Sequence, residues 1–516
     1  MRWTKTRRRT ALVGAVAAML VTAACGGSSD DKDSGPEGAP QHGGTLNIAY
    51  QNELQSLDPI SNTTAAGAGS LPFYALYDAL FTLNPESGAV EPKIGESLTP
   101  DDTQKVWMLK LRPGVKFSDG TPYDAQAVAD NWERAKAPTS AIASAASQIA
   151  STKVVDPTTL EITLTAPDSG FDVTVAQQLL FIASPTALKK EGEDFATKPV
   201  GAGPFVLTNW VRDSQKTFDP NPDYYDGDKP YLDGLVIKTI PDQTQAATAL
   251  KTGEVNMLYT QDSSTVKGLE TAGMQVTSTT TPGSPNIAFN ARQAPFDDPN
   301  MRKAFALAID SNEMANVTGT FLPTTTPFSE DSPYNFGQSW PAADQEEAQA
   351  LFDDYAAAHG GEVTFTIGAF QDSATQKESQ FLQTALNQFD NVKVEVKTES
   401  ASTAIGNVFS GNYDAYTWGA PWYTPAGLYI YLHSGQQLNV YGYENPTVDK
   451  ALDAARATGD TEEQDAQYQK VVETMVEDLP FYNYGVRQAS NVYASDVHGV
   501  ELFYDAYPFL ENVWVE

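Results

Sequence analysis

The sequence predicts an α/β protein built on mixed sheets, and three observations carry that prediction. Apolar and polar residues alternate with period two in five separate stretches, the pattern of half-buried strands. Helical patterns lie between those stretches along the whole chain, so strands and helices interleave instead of segregating. The 516 residues are too many for one small core at about 100 to 200 residues per domain, which points to two or three domains.

The elements begin behind a leader. Arg2, Lys5, Arg7, Arg8 and Arg9 precede an apolar run from Ala11 to Ala24. That run is shorter than the about 20 residues a bilayer span needs and fits the hydrophobic region of an export signal. Thr6-Arg7-Arg8-Arg9 hints at twin-arginine export, but Thr10 and Ala11 stand where a large apolar residue is expected, so a plain basic leader is the reading. Cys25, the one cysteine of the chain, follows Val21-Thr22-Ala23-Ala24. The stretch resembles a bacterial lipoprotein signal, which implies cleavage before an acylated Cys25. Thr22 departs from the aliphatic residue usual three places before that cysteine. Residues 1–24 are therefore expected to be a signal peptide and 25–44 a flexible tether. No large apolar side chain in 26–44 offsets the entropy of ordering them, and such a coil spans on the order of 25 Å.

The first strand is marked by Leu46, Ile48 and Tyr50. The same period recurs at Trp107, Leu109 and Leu111, at Leu160, Ile162 and Leu164, at Val363, Phe365 and Ile367, and at Val392, Val394 and Val396. After the second of these, Pro113-Gly114 predicts a turn, Val115 and Phe117 a return strand, Asp119-Gly120 a second turn, and Val128 with Trp132 a helix. Asp242 caps a predicted helix with Ala246, Ala249 and Leu250 on its apolar face, stopping at Gly253. Asp298-Pro299 opens another, with Met301, Ala304, Phe305 and Ala308 at i, i+3, i+4 and i+7. Two more are predicted around Val448 to Arg456 and Glu462 to Glu477, ending at Leu479-Pro480.

Composition removes several function classes. Without residues 1–24, 28 positive side chains face 66 negative ones, a net charge of −38. Such a field repels phosphate backbones, so nucleic acid is not an expected partner. One cysteine allows no internal disulfide and no thiolate metal cluster. His42, His359, His433 and His498 are scattered and form no H-x-x-x-H pair, so no metal or other cofactor is expected. The chain has no G-x-S-x-G elbow, P-loop or G-x-G-x-x-G. Lys251-Thr252-Gly253 and Ser264-Thr265-Val266-Lys267 match two penicilloyl-transferase signatures, but in the reverse order. The remaining enzymatic alternative is a secreted hydrolase of glycans or peptides, because 66 acids offer many carboxylate pairs.

The run Trp107-Met108-Leu109-Lys110-Leu111-Arg112-Pro113-Gly114-Val115-Lys116-Phe117-Ser118-Asp119-Gly120-Thr121-Pro122 resembles the signature of the family 5 extracellular solute-binding proteins, the peptide, nickel and opine binders of ABC importers. The similarity continues through Leu57-Asp58-Pro59, Tyr77 to Phe81, Pro199 to Phe205, Asn290 to Asp310 and Asn445 to Asp449, from about residue 44 to 516. It implies a two-lobed clamshell of the type II periplasmic-binding-protein kind. Lobe 1 is expected from 45–78, 196–284 and 491–516, with a subdomain inserted at 79–195; lobe 2 is expected from 285–490. The resemblance further implies a monomer without enzymatic activity. It would be anchored through Cys25 at the extracytoplasmic face of the cell membrane and deliver a small organic solute to an ABC permease and its ATPase subunits.

Carried over position by position, the resemblance implies ligand contacts at Asn62, Thr63 and Thr64, at Tyr259 and Thr260, at Phe289 and Asn290, and at Tyr484. The most informative stretch is Trp418-Gly419-Ala420-Pro421-Trp422-Tyr423. In peptide binders of the family an Asp three residues after the Trp pairs with the ligand's α-ammonium, and here that place is Pro421, which has neither charge nor backbone donor. A buried ammonium without a carboxylate costs several kcal/mol. The expected ligand is therefore a modified peptide, an oligosaccharide or a similar organic solute, with the aromatic faces of Trp418, Trp422 and Tyr423 available to rings or cations.

Overall fold

The computed structural model describes residues 39–51, 53–61, 70–85, 87–330, 332–503 and 506–516. The expected signal peptide, Cys25 and most of the tether lie outside the described residues, as do Asn62, Thr63 and Thr64.

All five alternating stretches are strands: Thr45–Tyr50, Val106–Leu111, Thr159–Leu164, Val363–Phe370 and Val392–Glu399. Thr45–Tyr50 departs from simple alternation because it lies between two parallel neighbours, with Ile48 opposite both Ile237 and Met257. Both of its faces are covered, so Ala49 is as buried as Ile48. Ala49 packs with Ala246, Leu250, Leu258 and Leu269 beneath the helices Gln243–Lys251 and Ser263–Thr271.

The first sheet runs in the order Gln275–Thr281, Gly485–Tyr493, Met257–Thr260, Thr45–Tyr50, Gly234–Thr239, Gln215–Pro220, Phe205–Val211. The second runs Val392–Glu399, Val363–Phe370, Ala415–Trp418, Asn286–Phe289, Phe481–Asn483. A separate antiparallel sheet, Gly95–Pro100, Val106–Leu111, Thr159–Leu164, Ile149–Asp156, shares its hydrophobic core with the first. The second sheet has a core of its own, centred on Phe296, Phe305, Phe365, Trp422 and Phe481. Mixed sheets with helices between the strands make this the expected α/β class.

One predicted element is absent. Val115 and Phe117 do not form a return strand, because Val106–Leu111 already has Gly95–Pro100 on one edge and Thr159–Leu164 on the other. The segment instead folds as a tight loop in which Phe117 N–H donates to Thr121 O at 2.9 Å and Tyr123 N–H to Val115 O at 3.0 Å. Phe117 is still fully buried, as its apolar character requires, but on a loop and not on a strand. The helix behind it, Ala125–Ala135, buries Val128 and Trp132 as the sequence predicts.

The other helices follow their caps. Asp242 accepts from Gln245 N–H at 2.8 Å and opens Gln243–Lys251, and Gly253 behind it takes φ +74°. Asp298 accepts from Asn300 N–H at 2.8 Å and opens Pro299–Leu307. The last two predicted helices are Pro446–Ala457 and Thr461–Asp478.

The chain crosses between the two sheets at 281–286 and again at 483–485. These crossings are bonded to each other. Asn483 Nδ2 donates to Pro285 O and to Gly485 O, both at 2.7 Å, and Arg487 N–H donates to Ser284 O at 2.6 Å. Gly283 takes φ +79°, and a Cβ there would lie 2.2 Å from Ala420 O and 2.4 Å from the Trp422 ring. Both the backbone conformation and the close approach require glycine at this crossing.

Candidate functional site

Strand order alone locates a crevice in each sheet. Val363–Phe370 leads through the helix Ser373–Leu386 to Val392–Glu399 on one side, and that strand leads through Ala401–Ser410 to Ala415–Trp418 on the other. Open α/β sheets hold ligands at the carboxyl ends of strands where the order reverses in this way. In the first sheet Thr45–Tyr50 likewise lies between two parallel neighbours, Gly234–Thr239 and Met257–Thr260, which the helix Gln243–Lys251 connects.

Aromatic side chains occupy both carboxyl edges. In the second sheet Phe370 and Trp418 end neighbouring parallel strands, and their rings stack at 5.6 Å and 21°. Both are half-buried, and the ring of Phe409, itself 41% exposed, approaches Trp418 at 6.4 Å. In the first sheet Tyr50 ends its strand and Tyr259 stands one residue before the end of the neighbouring one, with their rings 5.4 Å apart; Tyr507 stacks on Tyr259 at 5.9 Å and 5°, and all three are buried. The half-exposed rings of Phe370, Trp418 and Phe409 are a flat, rigid surface of the kind that binds apolar or π-bearing groups at low entropic cost.

The segment after Trp418 joins the two edges. Ala420 N–H donates to Gly283 O at 3.1 Å and Trp422 N–H to Pro282 O at 3.3 Å, so residues 420–422 line the first crossing. Tyr423 packs into the first sheet's core, whereas Trp422 is buried in the second, donating from Nε1 to Pro327 O at 3.1 Å. Gly419 lies against Ser284, whose Oγ would be 2.7 Å from a Cβ, and Pro421 is partly exposed.

The remaining candidates sit as follows. Thr260 is fully buried, donating to Gln243 Oε1 at 2.8 Å and accepting from Asp262 N–H at 3.1 Å. Phe289 is enclosed by Phe296 at 4.8 Å and Phe305 at 5.2 Å, and Asn290 donates to Gly411 O and Tyr413 O at 2.9 and 2.8 Å. Tyr484 is fully buried and donates to Glu378 Oε2 at 2.8 Å. Burial and the Glu378 carboxylate push its phenol well above the ordinary tyrosine range. Thus Trp418 to Tyr423, Tyr259, Thr260 and Tyr484 lie at strand ends or the crossings, with Thr260, Trp422 and Tyr484 also committed to packing or internal bonds, as Phe289 and Asn290 are. Sequence reasoning placed Tyr50 in the first strand but named neither it nor Phe370 nor Tyr507 as a ligand contact. The available signal was that the run Leu46, Ile48, Tyr50 closes on an aromatic, whereas Phe370 falls out of phase with Val363, Phe365 and Ile367.

The local charge is fixed in place. Glu399, at the end of its strand, accepts from Lys397 at 2.6 Å, from Asn407 at 2.9 Å and from Tyr416 OH at 3.3 Å. The Lys397 bond holds its carboxyl below the usual range. Each of the four histidines packs on an aromatic ring, namely Tyr231, Tyr355, Tyr429 and Trp514. Among the described residues no group of three or more His, Cys, Asp or Glu side chains is arranged to hold a metal, and no helix is long and apolar enough to cross a membrane.

Comparison with known proteins decides the family. The model of the bacterial extracellular solute-binding proteins, family 5, matches residues 89–439. The chain belongs to that family. Its relatives include the glutathione-binding protein GsiB of Salmonella paratyphi A, 28% identical over 476 residues that make up 88% of this chain and 91% of the relative. The solved structure of AgaA with agropinic acid, from A. tumefaciens R10, superposes with a TM-score of 0.79 at 24% identity, covering 92% of this chain and 99% of that one. DppA of Helicobacter pylori with the peptide STSA gives 0.78 at 22%, with the same coverages. These superpositions establish the two-lobed type II architecture. A family 5 protein is an extracytoplasmic solute-binding component of ABC importers, without enzymatic activity, and the hydrolase alternative has no support.

Proposed function

We propose that this protein captures one peptide-like organic solute between the aromatic edge of the first sheet, Tyr50 and Tyr259, and that of the second, Phe370 and Trp418. It then delivers the solute to a membrane permease driven by separate ATPase subunits. The observation that carries this reading is the presence in both sheets of a strand between two parallel neighbours, with an aromatic pair at each carboxyl edge. Lobe 1 comprises the first sheet and the inserted antiparallel sheet, lobe 2 the second sheet, and they hinge at 281–286 and 483–485. Cys25 carries the lipid that keeps the protein at the cell surface, and residues 26–44 give it reach.

The solute class follows from what residues 418–423 lack. Pro421 leaves no carboxylate for a free α-ammonium, so the ligand is a peptide whose amino end is modified or is not its main anchor. The relation to glutathione-binding proteins over 88% of the chain is consistent with the second case, since the γ-linkage of glutathione leaves its α-ammonium beside its own α-carboxylate and off the peptide backbone.

Calorimetric titration tests the reading with glutathione, ordinary dipeptides and a short oligosaccharide. Saturable one-to-one binding of the γ-linked peptide, with ordinary dipeptides at least about tenfold weaker, is expected. Tight binding of ordinary dipeptides would overturn the argument from Pro421. For the anchor, Cys25→Ser is expected to release the protein from the membrane fraction, and its retention there contradicts lipidation.

A further inference from the structure

Away from both crossings, the inserted sheet's subdomain touches the end of a helix from the other lobe. Arg456, on the last turn of Pro446–Ala457, donates from Nε to Asp168 Oδ1 at 2.9 Å. A second guanidinium nitrogen bonds Asp168 Oδ2, and it also donates to Gln148 Oε1 at 3.1 Å. The guanidinium carbon stands 3.9 Å from the centre of the Tyr429 ring. The pair is well shielded, with 18% of the Arg456 side chain and 6% of the Asp168 side chain exposed.

The backbone joins in. The last carbonyls of a helix have no partner within it. Here Arg456 O accepts from Ser169 N–H at 2.9 Å and Ala455 O from Ser169 Oγ at 3.1 Å. Gln464 Nε2, from the following helix, donates to the same Ser169 Oγ at 2.6 Å. Gly170 lets the surfaces meet: a Cβ there would be 3.3 Å from the Ala426 Cβ. Residues 168–170 and 455–456 thus satisfy each other's polar groups across 288 residues of sequence.

We propose that Asp168, Ser169 and Arg456 form the clasp that holds the two lobes closed, so that they set solute affinity and release without touching the solute. The proposal rests on the clamshell reading of function. A bidentate Arg–carboxylate pair is directional, so it selects one closed geometry and not merely a compact one. Opening the lobes strips Asp168 of its guanidinium partner and leaves Ala455 O and Arg456 O to water, so the clasp biases the equilibrium toward the closed state. A solute that binds only the closed form gains apparent affinity in proportion to the closed fraction.

The test uses the full chain and needs no solute. Hydrogen exchange read by mass spectrometry on peptides covering 165–172 and 453–460, with the radius of gyration from X-ray scattering, compares the parent with Arg456→Gln and Asp168→Asn. Exchange at these peptides is expected to quicken by about tenfold or more, with a larger radius and unchanged protection in the strands of either sheet. The exchanged pair, Asp168→Arg with Arg456→Asp, is expected to recover part of the protection. Unchanged exchange and radius overturn the proposal. So does a global loss of protection, which would make the pair a fold-stability element. Because neither readout involves solute, failure of the glutathione titration leaves this test standing, and failure here leaves the binding site standing.

Discussion

The sharpest energetic prediction concerns Glu378. This carboxylate has no exposed surface, yet it is surrounded by donors: Thr320 Oγ1 at 2.6 Å, Tyr484 OH at 2.8 Å, and Arg487 with NH1 at 2.8 Å and NH2 at 3.2 Å. Arg487 stands on Gly485–Tyr493 in the first sheet, and Glu378 on Ser373–Leu386 beside the second, so the pair ties the two sheets together at the crossing. Glu378→Ala leaves a guanidinium with 15% of its side chain exposed and no counter-charge, which costs about 3 to 5 kcal/mol. Glu378→Gln keeps an acceptor for Thr320 or Tyr484 and is expected to cost about half as much. Replacing both partners by apolar residues, Glu378→Leu with Arg487→Met, removes the desolvation cost along with the attraction. The double variant should then be less destabilised than either single change. The assay is urea unfolding followed by far-UV circular dichroism and tryptophan fluorescence. If Glu378→Ala unfolds within about 0.5 kcal/mol of the parent, or if the double variant loses the sum of the two single losses, the pair is not a buried, mutually dependent unit and the reasoning is wrong.

Further predictions address other buried groups. Burial, with the nearby Asp168 charge, raises the Asp172 carboxyl to about 6, so the folded state holds its proton more tightly than the unfolded chain does. The contribution of Asp172 to stability should therefore fall as pH rises from about 4 to about 6 and then level, and Asp172→Asn should recover about 2 kcal/mol relative to the parent at pH 7.5 but nothing at pH 4, as read from melting curves. Lys93 lies 2.5 Å from Glu511 and 3.5 Å from Asp78, both buried, and Lys93→Met strands two carboxylates. It should cost about 3 to 5 kcal/mol at pH 7.5 and distinctly less at pH 5, where burial lets Glu511 take up a proton; equal losses at both pH values count against this. Trp422→Ala empties a fully buried site packed on Phe481 and should lose about 3 to 5 kcal/mol of stability, whereas Trp418→Ala should cost little stability and weaken solute binding at least about tenfold.

The secondary structure was legible in the sequence where its cause is local. Period-two apolar runs and Asp caps are set by neighbours a few residues away, and each run and cap named from the sequence appears in the fold. What failed depended on distant chain. The stretch at Val115 and Phe117 has strand character, but both edges of Val106–Leu111 were already filled by Gly95–Pro100 and Thr159–Leu164. Ala49 reads as an outward position until parallel neighbours and two helices cover its face. The site shows the same division: the aromatic run 418–423 was visible as composition, and Pro421 as a departure from its family. The partnerships Glu378–Arg487 and Asp168–Arg456 join residues 109 and 288 apart, and no spacing rule connects them. Phe289 and Asn290, chosen by position along the chain, have their side chains committed to Phe296, Phe305, Gly411 and Tyr413.

The central claim, capture of one organic solute between two aromatic strand edges, is tested most directly by native mass spectrometry of the freshly purified full chain with Trp418→Ala beside it. The parent is expected to carry a single small organic adduct, retained from the cell or added as glutathione, and the variant to have lost it. A variant that keeps the adduct at the parent's occupancy, or a parent that takes up no member of the peptide and oligosaccharide panel, would contradict it.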